Sequence, residues 1–301
     1  MDTAELNSLS VPVAGQSPAH LAVRHDQDLE VLRLVPAKGW RAGRLAEVWR
    51  CRELLLFFAW RDIKVRYKQT VFGAAWAILQ PAMMMLAFSI FFRKMAGIAT
   101  GGIPYPLFVY TGLLPWTFFS TAVNDAGNSV VSSQQLVTKV YFPRLLIPLA
   151  SVSRAAVDFC VAMGLMAILM CYYHTWGAEQ VLLAPVIMLF IGAAAAGIGT
   201  FIAAMTVRYR DVKYVLPFVL QIGMFATPSV YMPTGVQKAV GLKLILAANP
   251  MTALIGAFRA ACLGGPIPWS SAIPAAALGV ILLFVGCLYF QRIEDRFADE
   301  I

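Results

Sequence analysis

Long apolar runs, separated by short segments that carry charges, prolines or glycines, make up most of this chain. A helix needs about 20 predominantly apolar residues to cross the hydrocarbon layer of a membrane. Six runs approach or exceed that length: residues 71–92, 107–123, 145–173, 181–207, 215–232 and 273–290. The pattern predicts an all-α integral membrane protein with six transmembrane helices. Residues 1–40 are polar and lack an apolar period, which is typical of a flexible cytoplasmic tail.

Two further segments contain apolar residues without fitting a simple crossing. Within residues 41–68, apolar and aromatic side chains recur at helical spacing among many basic ones, which predicts an amphipathic helix lying in the membrane–water interface. Residues 244–263 are apolar but short, and the pair Asn249–Pro250 interrupts them. Short re-entrant helices before the last span explain this segment better than a full crossing. The competing topology makes it a seventh crossing, which would place the acidic C-terminal tail outside.

The segment between the second and third spans predicts a helix over residues 125–142. Asn124 or Asp125 can cap its start, because a short side-chain oxygen accepts a hydrogen bond from an orphaned backbone N–H. A partial apolar stripe follows, and Pro143 is predicted to end the helix. A helix held between two spans suits contact with another protein. Periodicity alone equally allows a helix that lies in the lipid headgroups.

Composition and charge support a membrane protein and indicate its orientation. The chain is 59% hydrophobic and 13% charged, whereas soluble domains carry roughly a quarter charged residues. The net charge of +8 arises largely beside the first span, which favours cytoplasmic retention and anionic lipid over nucleic acid as its partner. With six spans, 18 of the 24 Lys and Arg residues lie on one side and 5 on the other. This bias predicts that both termini are cytoplasmic.

Motifs for enzymatic chemistry are missing from the sequence. There is no G-x-x-x-x-G-K-[ST] phosphate loop, no H-E-x-x-H metal motif and no G-x-S-x-G elbow. The five cysteines show no C-x-x-C spacing. Arg154 and Asp158 lie four residues apart inside the third span, so they share a helix face, and an intrahelical ion pair is favoured over a substrate or proton path. Energy for any transport is therefore expected from a partner.

Several ordered stretches resemble the polysaccharide-export permeases, the membrane subunits of one branch of the ABC-2 class of ATP-binding-cassette transporters. The stretches are WRDIKVRYKQTVFGAAWAILQP (60–81), LVTKVYFPRLLIPLA (136–150), RYRDVKYVLPFVLQ (208–221), TPSVYMP (227–233) and ANPMTALIGAFR (248–259). The resemblance implies that residues 41–301 form an ABC-2 type transmembrane domain. It also implies a homodimer of twelve spans in the lipid bilayer, two copies of a separate ATPase subunit, and a lipid-linked glycan as substrate. ATP and magnesium would be bound by the ATPase, with no cofactor in this chain.

The resemblance further implies roles for three segments. The amphipathic helix would lie at the cytoplasmic gate, the helix over 125–142 would be the coupling helix that docks on the ATPase, and helices within 244–263 would gate the outer side. Predicted gate residues are Trp60, Arg61, Asp62, Lys64, Arg66 and Tyr67, and predicted coupling residues are Gln135, Leu136, Lys139, Tyr141 and Arg144. Predicted outer-gate residues are Asn249, Pro250 and Arg259. The coupling residues Lys139, Tyr141 and Arg144 could equally be membrane-surface anchors.

Aromatic side chains on the first and fifth spans offer flat apolar faces to sugar rings. Those predicted to line the substrate path are Trp76, Phe88, Phe91, Phe218, Phe225 and Tyr231. For any one of them, packing or lipid contact is the competing interpretation. The sequence thus predicts an inner-membrane permease that exports a lipid-linked polysaccharide such as O-antigen. The alternatives are a capsule or teichoic acid exporter, a drug or small-lipid exporter of the same class, and a membrane-embedded glycosyl or acyl transferase.

Overall fold

The structure of the protein is a computed structural model. It describes residues 48–68, 73, 75–95, 102–140, 142–175, 179–231, 249–294 and 297. Nine α-helices occur in these ranges: α1 Arg52–Lys68, α2 Ala75–Met95, α3 Tyr105–Ser132, α4 Gln134–Lys139, α5 Leu146–Tyr172, α6 Ala184–Arg208, α7 Val212–Ala226, α8 Pro250–Leu263 and α9 Trp269–Ile293. A 3-10 turn, Glu179–Leu183, precedes α6. No strand occurs in the described ranges, so the predicted all-α fold is confirmed there.

Three helices of the described chain are long and apolar enough to cross a membrane: Leu146–Tyr172, Gln180–Arg208 and Trp269–Ile293. They coincide with the predicted spans 145–173, 181–207 and 273–290. The predicted span 71–92 corresponds to α2, and the predicted span 107–123 lies inside α3. The predicted span 215–232 is shorter than expected, because α7 ends at Ala226. The predicted tail 1–40 and the first part of the amphipathic segment, 41–47, lie outside the described residues.

The prediction of a separate helix over 125–142 is wrong in its boundaries. Asn124 and Asp125 lie inside α3, which continues to Ser132, so neither residue caps a helix start. Only the six residues of α4 form a distinct helix, and Val140 after it is extended. Pro143 does not end that helix. Its carbonyl instead accepts the Leu146 N–H at the entry of α5.

Helix α3 is the most deeply buried element of the described chain. Residues 107–110 are entirely inaccessible, and α3 packs against α2, α5, α6, α7 and α8. Its sequence is apolar on nearly every side until Asn124, as expected of a helix surrounded by other helices. Pro115 lies within this helix without ending it. The larger hydrophobic cluster is built around α3 and contains side chains of α5, α6 and α8.

A second hydrophobic cluster joins six helices, including Val130 near the end of α3. It contains Phe58 and Ala59 of α1, Val137 of α4, and side chains of α5, α6 and α9. Phe142 packs edge-on against Phe58, with ring centroids 5.3 Å apart. Phe297, beyond the end of α9, is fully buried in the same cluster. The predicted interfacial helix and the segment after α3 therefore share one apolar core.

Helices α6 and α9 approach each other with almost no space between their backbones. A Cβ on Gly197 would overlap the backbone of Leu282, and a Cβ on Gly286 would overlap the carbonyl of Gly197. Small residues at a membrane helix interface allow this close approach and the dispersion contacts that come with it. The Ala- and Gly-rich composition of α6 thus serves its packing against α9.

Replacing Gly197 or Gly286 with Ala is expected to lower the free energy of unfolding by about 1–3 kcal/mol, because the added methyl group forces α6 and α9 apart. Thermal unfolding of the purified chain in detergent measures the effect. Gly164→Ala on α5 is the matched control, since its Cβ would meet no atom within 4 Å. Alanine has the higher helix propensity, so this control should be neutral or stabilising. Equal losses in all three variants would contradict the packing explanation.

Candidate functional site

Helix α1 presents one buried face and one exposed face. Phe58 and Ala59 are buried against the second hydrophobic cluster, whereas Leu56, Phe57 and Trp60 are exposed. The Lys64 Nζ lies 5.4 Å from the centroid of the Trp60 ring, a distance at which the cation is attracted to the ring face. Aromatic and basic groups side by side are typical of a helix at the membrane surface.

A cluster of charges joins the end of α1 to α3 and α5. The Arg66 guanidinium lies 2.9 Å from the Asp158 carboxylate of α5 and 3.8 Å from the Asp125 carboxylate of α3. Arg154, one turn before Asp158, lies 2.5 Å from Asp125. We call these four residues the charge cluster. Its two arginines and two aspartates balance one another, so no member carries an unopposed charge.

The predicted ion pair between Arg154 and Asp158 is wrong. The two residues do lie one turn apart on α5, but each pairs with a residue of another helix. The physical reason is that Asp125 and Arg66 reach the same end of α5. An ion pair between helices also holds those helices together, which an i, i+4 pair within α5 would not do.

Tyr67 adds a hydrogen bond to the charge cluster. Its hydroxyl donates to the Asp158 carboxylate, next to the Arg66 ion pair. Burial raises the pKa of Tyr67 to about 12, and the hydrogen bond to Asp158 and the negative charge of that residue contribute in the same direction. The phenol therefore stays protonated at neutral pH and remains a donor. Two consecutive residues of α1 thus bind one carboxylate.

An open cleft of about 550 Å³ lies beside the charge cluster, between α1 and the ends of α3 and α5. Most of its lining residues are polar or charged: three arginines, two aspartates, four serines and Gln135 of α4. Arg61 binds the neighbouring Asp62 within this wall at 2.8 Å. Of the predicted gate residues, Arg61, Asp62 and Arg66 line the cleft, Trp60 and Lys64 are exposed, and Tyr67 binds Asp158.

The predicted coupling residues are only partly at the surface. Gln135 and Lys139 of α4 are exposed, and Leu136 is half-buried against the second cluster. Tyr141 lies outside the described residues. Arg144 is half-buried, with its guanidinium donating to the Glu294 carbonyl at 2.6 Å. The exposed face of this segment is therefore α4 itself, and Arg144 is turned toward α9.

The six aromatic residues predicted for the substrate path divide into two groups. Four are exposed in the single chain: Trp76 and Phe91 on α2, and Phe218 and Phe225 on α7. Phe88 is instead half-buried against the larger cluster. Tyr231 is also packed against that cluster, and its hydroxyl donates to the Phe225 carbonyl at 3.1 Å. These last two residues have packing roles within the chain.

At the other end of the molecule, α8 holds the turn that follows α7. Asn249 caps α8 by accepting the Met251 N–H, and its amide donates to the Thr227 hydroxyl at 2.8 Å. Arg259 donates to the Ser229 carbonyl at 2.7 Å, with its guanidinium 4.0 Å from the centroid of the Phe108 ring. Pro250 occupies the first turn, where it loses no helical hydrogen bond. We call residues 227–229 with Asn249 and Arg259 the α8 clamp.

The predicted pair of re-entrant helices is described only in its second half. Residues 232–248 lie outside the described residues, whereas α8 begins after Asn249 and has 14 residues. That length is below the roughly 20 residues of a crossing. The break at Asn249–Pro250 is thus a helix start, with the Asn side chain as its cap.

Comparison with known families settles the class of this membrane domain. The ABC-2 type transporter family matches residues 53–263, which contain all of α1 except its first residue, together with the charge cluster, α4 and α8. The chain belongs to the ABC-2 type transporter family. This ABC-2 chain is therefore a multi-pass membrane protein and a transport subunit.

Named relatives of this ABC-2 chain align over most of their length. It is 30% identical over 257 residues to the "O-antigen export system permease protein RfbA" of Myxococcus xanthus, covering 85% of this chain and 98% of the relative. It is 27% identical to a protein of the same name from Klebsiella pneumoniae, covering 82% and 94%. The "Polysialic acid transport protein KpsM" of Escherichia coli is 22% identical, covering 78% and 91%.

Two features of the site could not be read from the sequence. Asp125 was interpreted as a helix cap, although its place inside α3 makes it the partner of Arg154. Glu294 lies in a tail whose charges are ordinary for a surface, and its contact with Arg144 spans 150 residues. The presence of two charges inside the third span was the one signal that pointed to the cluster.

Double-mutant cycles distinguish the observed ion pairs from the predicted one. Alanine substitutions of Arg154 and Asp125 should show a coupling energy of about 2 kcal/mol, and those of Arg66 and Asp158 about 1 kcal/mol, since Arg66 is more than a third exposed and its charge is screened. Denaturant unfolding in detergent micelles provides the free energies. The cycle for Arg154 and Asp158 is the matched control and should give the smallest coupling. If this control cycle gives the largest coupling energy, Arg154 and Asp158 pair with each other within α5, as the sequence predicted.

Proposed function

We propose that this chain is the membrane permease subunit of an ABC transporter. The transporter exports a lipid-linked polysaccharide, in the leading proposal O-antigen, across the cytoplasmic membrane. The single observation that carries the proposal is the alignment with an O-antigen export permease over 98% of that relative's length. A polysialic acid transport protein among the relatives supports a polymeric sugar as the substrate class.

The proposed assembly is a homodimer with six spans in each subunit and both termini in the cytoplasm. The bias of Lys and Arg toward one side of the predicted topology supports this orientation. Helices α2 and α7 each leave an apolar face exposed in the single chain, and a second copy would cover such faces. Trp76, Phe91, Phe218 and Phe225 lie on these faces, where two subunits would enclose a path for sugar rings.

The proposed energy source is a separate ATPase subunit, present in two copies, that binds ATP and magnesium. The exposed helix α4 is the proposed docking element, because Gln135 and Lys139 face outward while Val137 anchors the helix in the second hydrophobic cluster. A short helix with a buried anchor transmits force better than an unanchored loop. Nucleic acid is not proposed as a partner.

The proposed inner gate is α1 with the neighbouring polar cleft, and the proposed outer gate is α8. The charge cluster fixes α1 to α3 and α5, so opening at this point requires these ion pairs to separate. At the other end, the α8 clamp fixes the turn after α7. With the charge cluster and the α8 clamp both formed, the substrate path would be closed at both ends. We propose this as the resting state.

The alternative of a membrane-embedded transferase gains no support from the site. Asp125 and Asp158 do lie near one another, but each is ion-paired with an arginine and neither is a free acid or base. No group of three or more His, Cys, Asp or Glu side chains suited to a metal ion occurs in the part of the chain that the structure describes. Capsular polysaccharide, teichoic acid and small-lipid export remain the alternatives within the same family.

Co-expression with the cognate ATPase subunit tests the proposal. The purified chain alone should hydrolyse no ATP, and the ATPase subunit should co-purify with it. The double variant Gln135→Glu with Lys139→Glu should lower ATPase recovery about tenfold, equivalent to about 1.4 kcal/mol of binding free energy, because it turns a neutral-to-basic face acidic.

Lys213→Glu on the exposed start of α7 is the matched control and should leave recovery unchanged. ATP hydrolysis by the chain alone would contradict the proposed division of labour. Full recovery of the ATPase with the double variant would show that docking does not use α4. Export of a labelled polysaccharide to the outer leaflet by the wild-type complex, and its loss without ATP, completes the test.

A further inference from the structure

The C-terminal end of α9 is fastened to the segment that follows α4. The Glu294 Oε1 accepts the backbone N–H of Arg144 at 2.7 Å. The Arg144 guanidinium in turn donates to the Glu294 carbonyl at 2.6 Å. We call this reciprocal contact the Arg144–Glu294 clasp. It lies partly outside residues 53–263, the range that the family comparison covers.

Arg144 and Glu294 both make interactions that stabilise the C-terminal end of α9. Glu294 is the C-terminal cap of α9, and its own N–H donates to the Phe290 carbonyl. The last carbonyls of a helix lack intrahelical donors and carry partial negative charge, so a guanidinium is a favourable partner there. Hydrogen bonds to an ionised group are also shorter and stronger than neutral ones. The clasp therefore ties Arg144 to the whole of α9 and not to a loose tail.

Apolar contacts reinforce the clasp on the side of α9. Phe290 and Phe297 are fully buried, with ring centroids 5.1 Å apart and ring planes nearly perpendicular. Both belong to the second hydrophobic cluster, together with Val137 of α4 and Phe142. Displacement of α4 would thus act on the end of α9 through packing and hydrogen bonds at once.

Helix α9 continues from the clasp to the opposite end of the molecule. It has 25 residues, about 37 Å at 1.5 Å per residue. From Gly279 to Gly286 its backbone is packed directly on α6, and Pro274 lies in its second turn without ending the helix. At its other end only residues 264–268 separate it from α8, and the two helices pack against each other.

The short link to α8 is itself ordered. Gly264 ends α8 with a left-handed conformation, φ 74°, and the Gly265 N–H donates to the Ala260 carbonyl. Arg259, next to that carbonyl in sequence, holds the turn after α7. One contiguous path therefore runs from Arg144 through α9 to the α8 clamp.

We propose that Arg144 and Glu294 are positioning residues that couple movement of the α4 segment to α8, with α9 as the rigid connector. This inference rests on the proposed function, since it assumes that an ATPase subunit moves α4. Arg144 then acts inside the permease, and the docking surface consists of the exposed residues of α4.

The test compares Glu294 variants in the complete complex with its ATPase subunit. Glu294→Ala removes the acceptor for the Arg144 N–H and should lower the number of sugar polymers exported per ATP hydrolysed at least threefold. Glu294→Gln keeps an oxygen acceptor at the same place and should stay within twofold of the wild type. Arg292→Ala, an exposed neighbour on α9, is the matched control and should not change the ratio.

The exported-polymer-to-ATP ratio separates positioning from mere stability. A purely structural defect lowers the amount of complex, and with it export and hydrolysis in proportion, so the ratio stays constant. Arg144→Ala removes the other hydrogen bond and should lower the ratio as well. The double variant of Arg144 and Glu294 loses both hydrogen bonds, so its ratio should be at least as low as that of the more severe single variant.

Wild-type ratios in Glu294→Ala and Arg144→Ala would overturn the inference while leaving the proposed function intact. If Glu294→Ala does not assemble, Arg144→Ala decides the question by the same criterion. A wild-type chain that fails to co-purify with the ATPase subunit would instead overturn the proposed function, and the inference with it.

Discussion

Charged side chains inside an apolar helix need partners of opposite charge. In this chain that requirement sets the positions of α1, α3 and α5 relative to one another. Arg154 and Asp158 lie on α5 among residues that otherwise suit a membrane interior. An unpaired charge at such a depth is costly, so each is met by a partner of opposite sign. Because the partners come from α1 and α3, the electrostatic need and the tertiary arrangement are satisfied together. The polar cleft lies beside this arrangement.

The two ends of the molecule use different interactions to hold α1 and α8 in place. At the α1 end, ion pairs and an apolar cluster fix the helix against α3 and α5. At the α8 end, neutral hydrogen bonds and one arginine bound to carbonyls fix the turn after α7. Ion pairs near a surface are weakened by salt and water, whereas hydrogen bonds in a drier environment are less affected. The first fastening is therefore the easier one to release from the aqueous side.

Much of the fold could be predicted because it depends on local properties of the sequence, such as the length and apolar content of each segment. Length and apolar content located the helices α5, α6 and α9, whereas Asn249–Pro250, predicted to interrupt an apolar segment, is the start of α8. The segment after Asn124 was misjudged for a physical reason. Asn and Asp favour helix caps when exposed, but inside α3 the Asp125 side chain has a tertiary partner that outweighs this local preference. Local patterns do not contain that information.

The sequence predicted which segments form the candidate site. It did not predict which residues in those segments contact each other. The stretch from Trp60 to Tyr67 was expected at a gate, yet its attachment to Asp158 joins residues 91 apart. Arg144, predicted as a coupling residue, binds Glu294, which is 150 residues away in sequence. Pairings of this kind depend on how helices stack, which a single sequence does not record. The resemblance implied roles for the segments, and the structure shows which residues their side chains contact.

The shared carboxylate of Asp158 has a consequence for the motion available to α1. Successive residues of an α-helix project about 100° apart, yet Arg66 and Tyr67 both reach this one group. Rolling α1 about its long axis would bring one of them closer only by carrying the other away. The helix is thus held against rotation about its own axis as well as against movement away from α5.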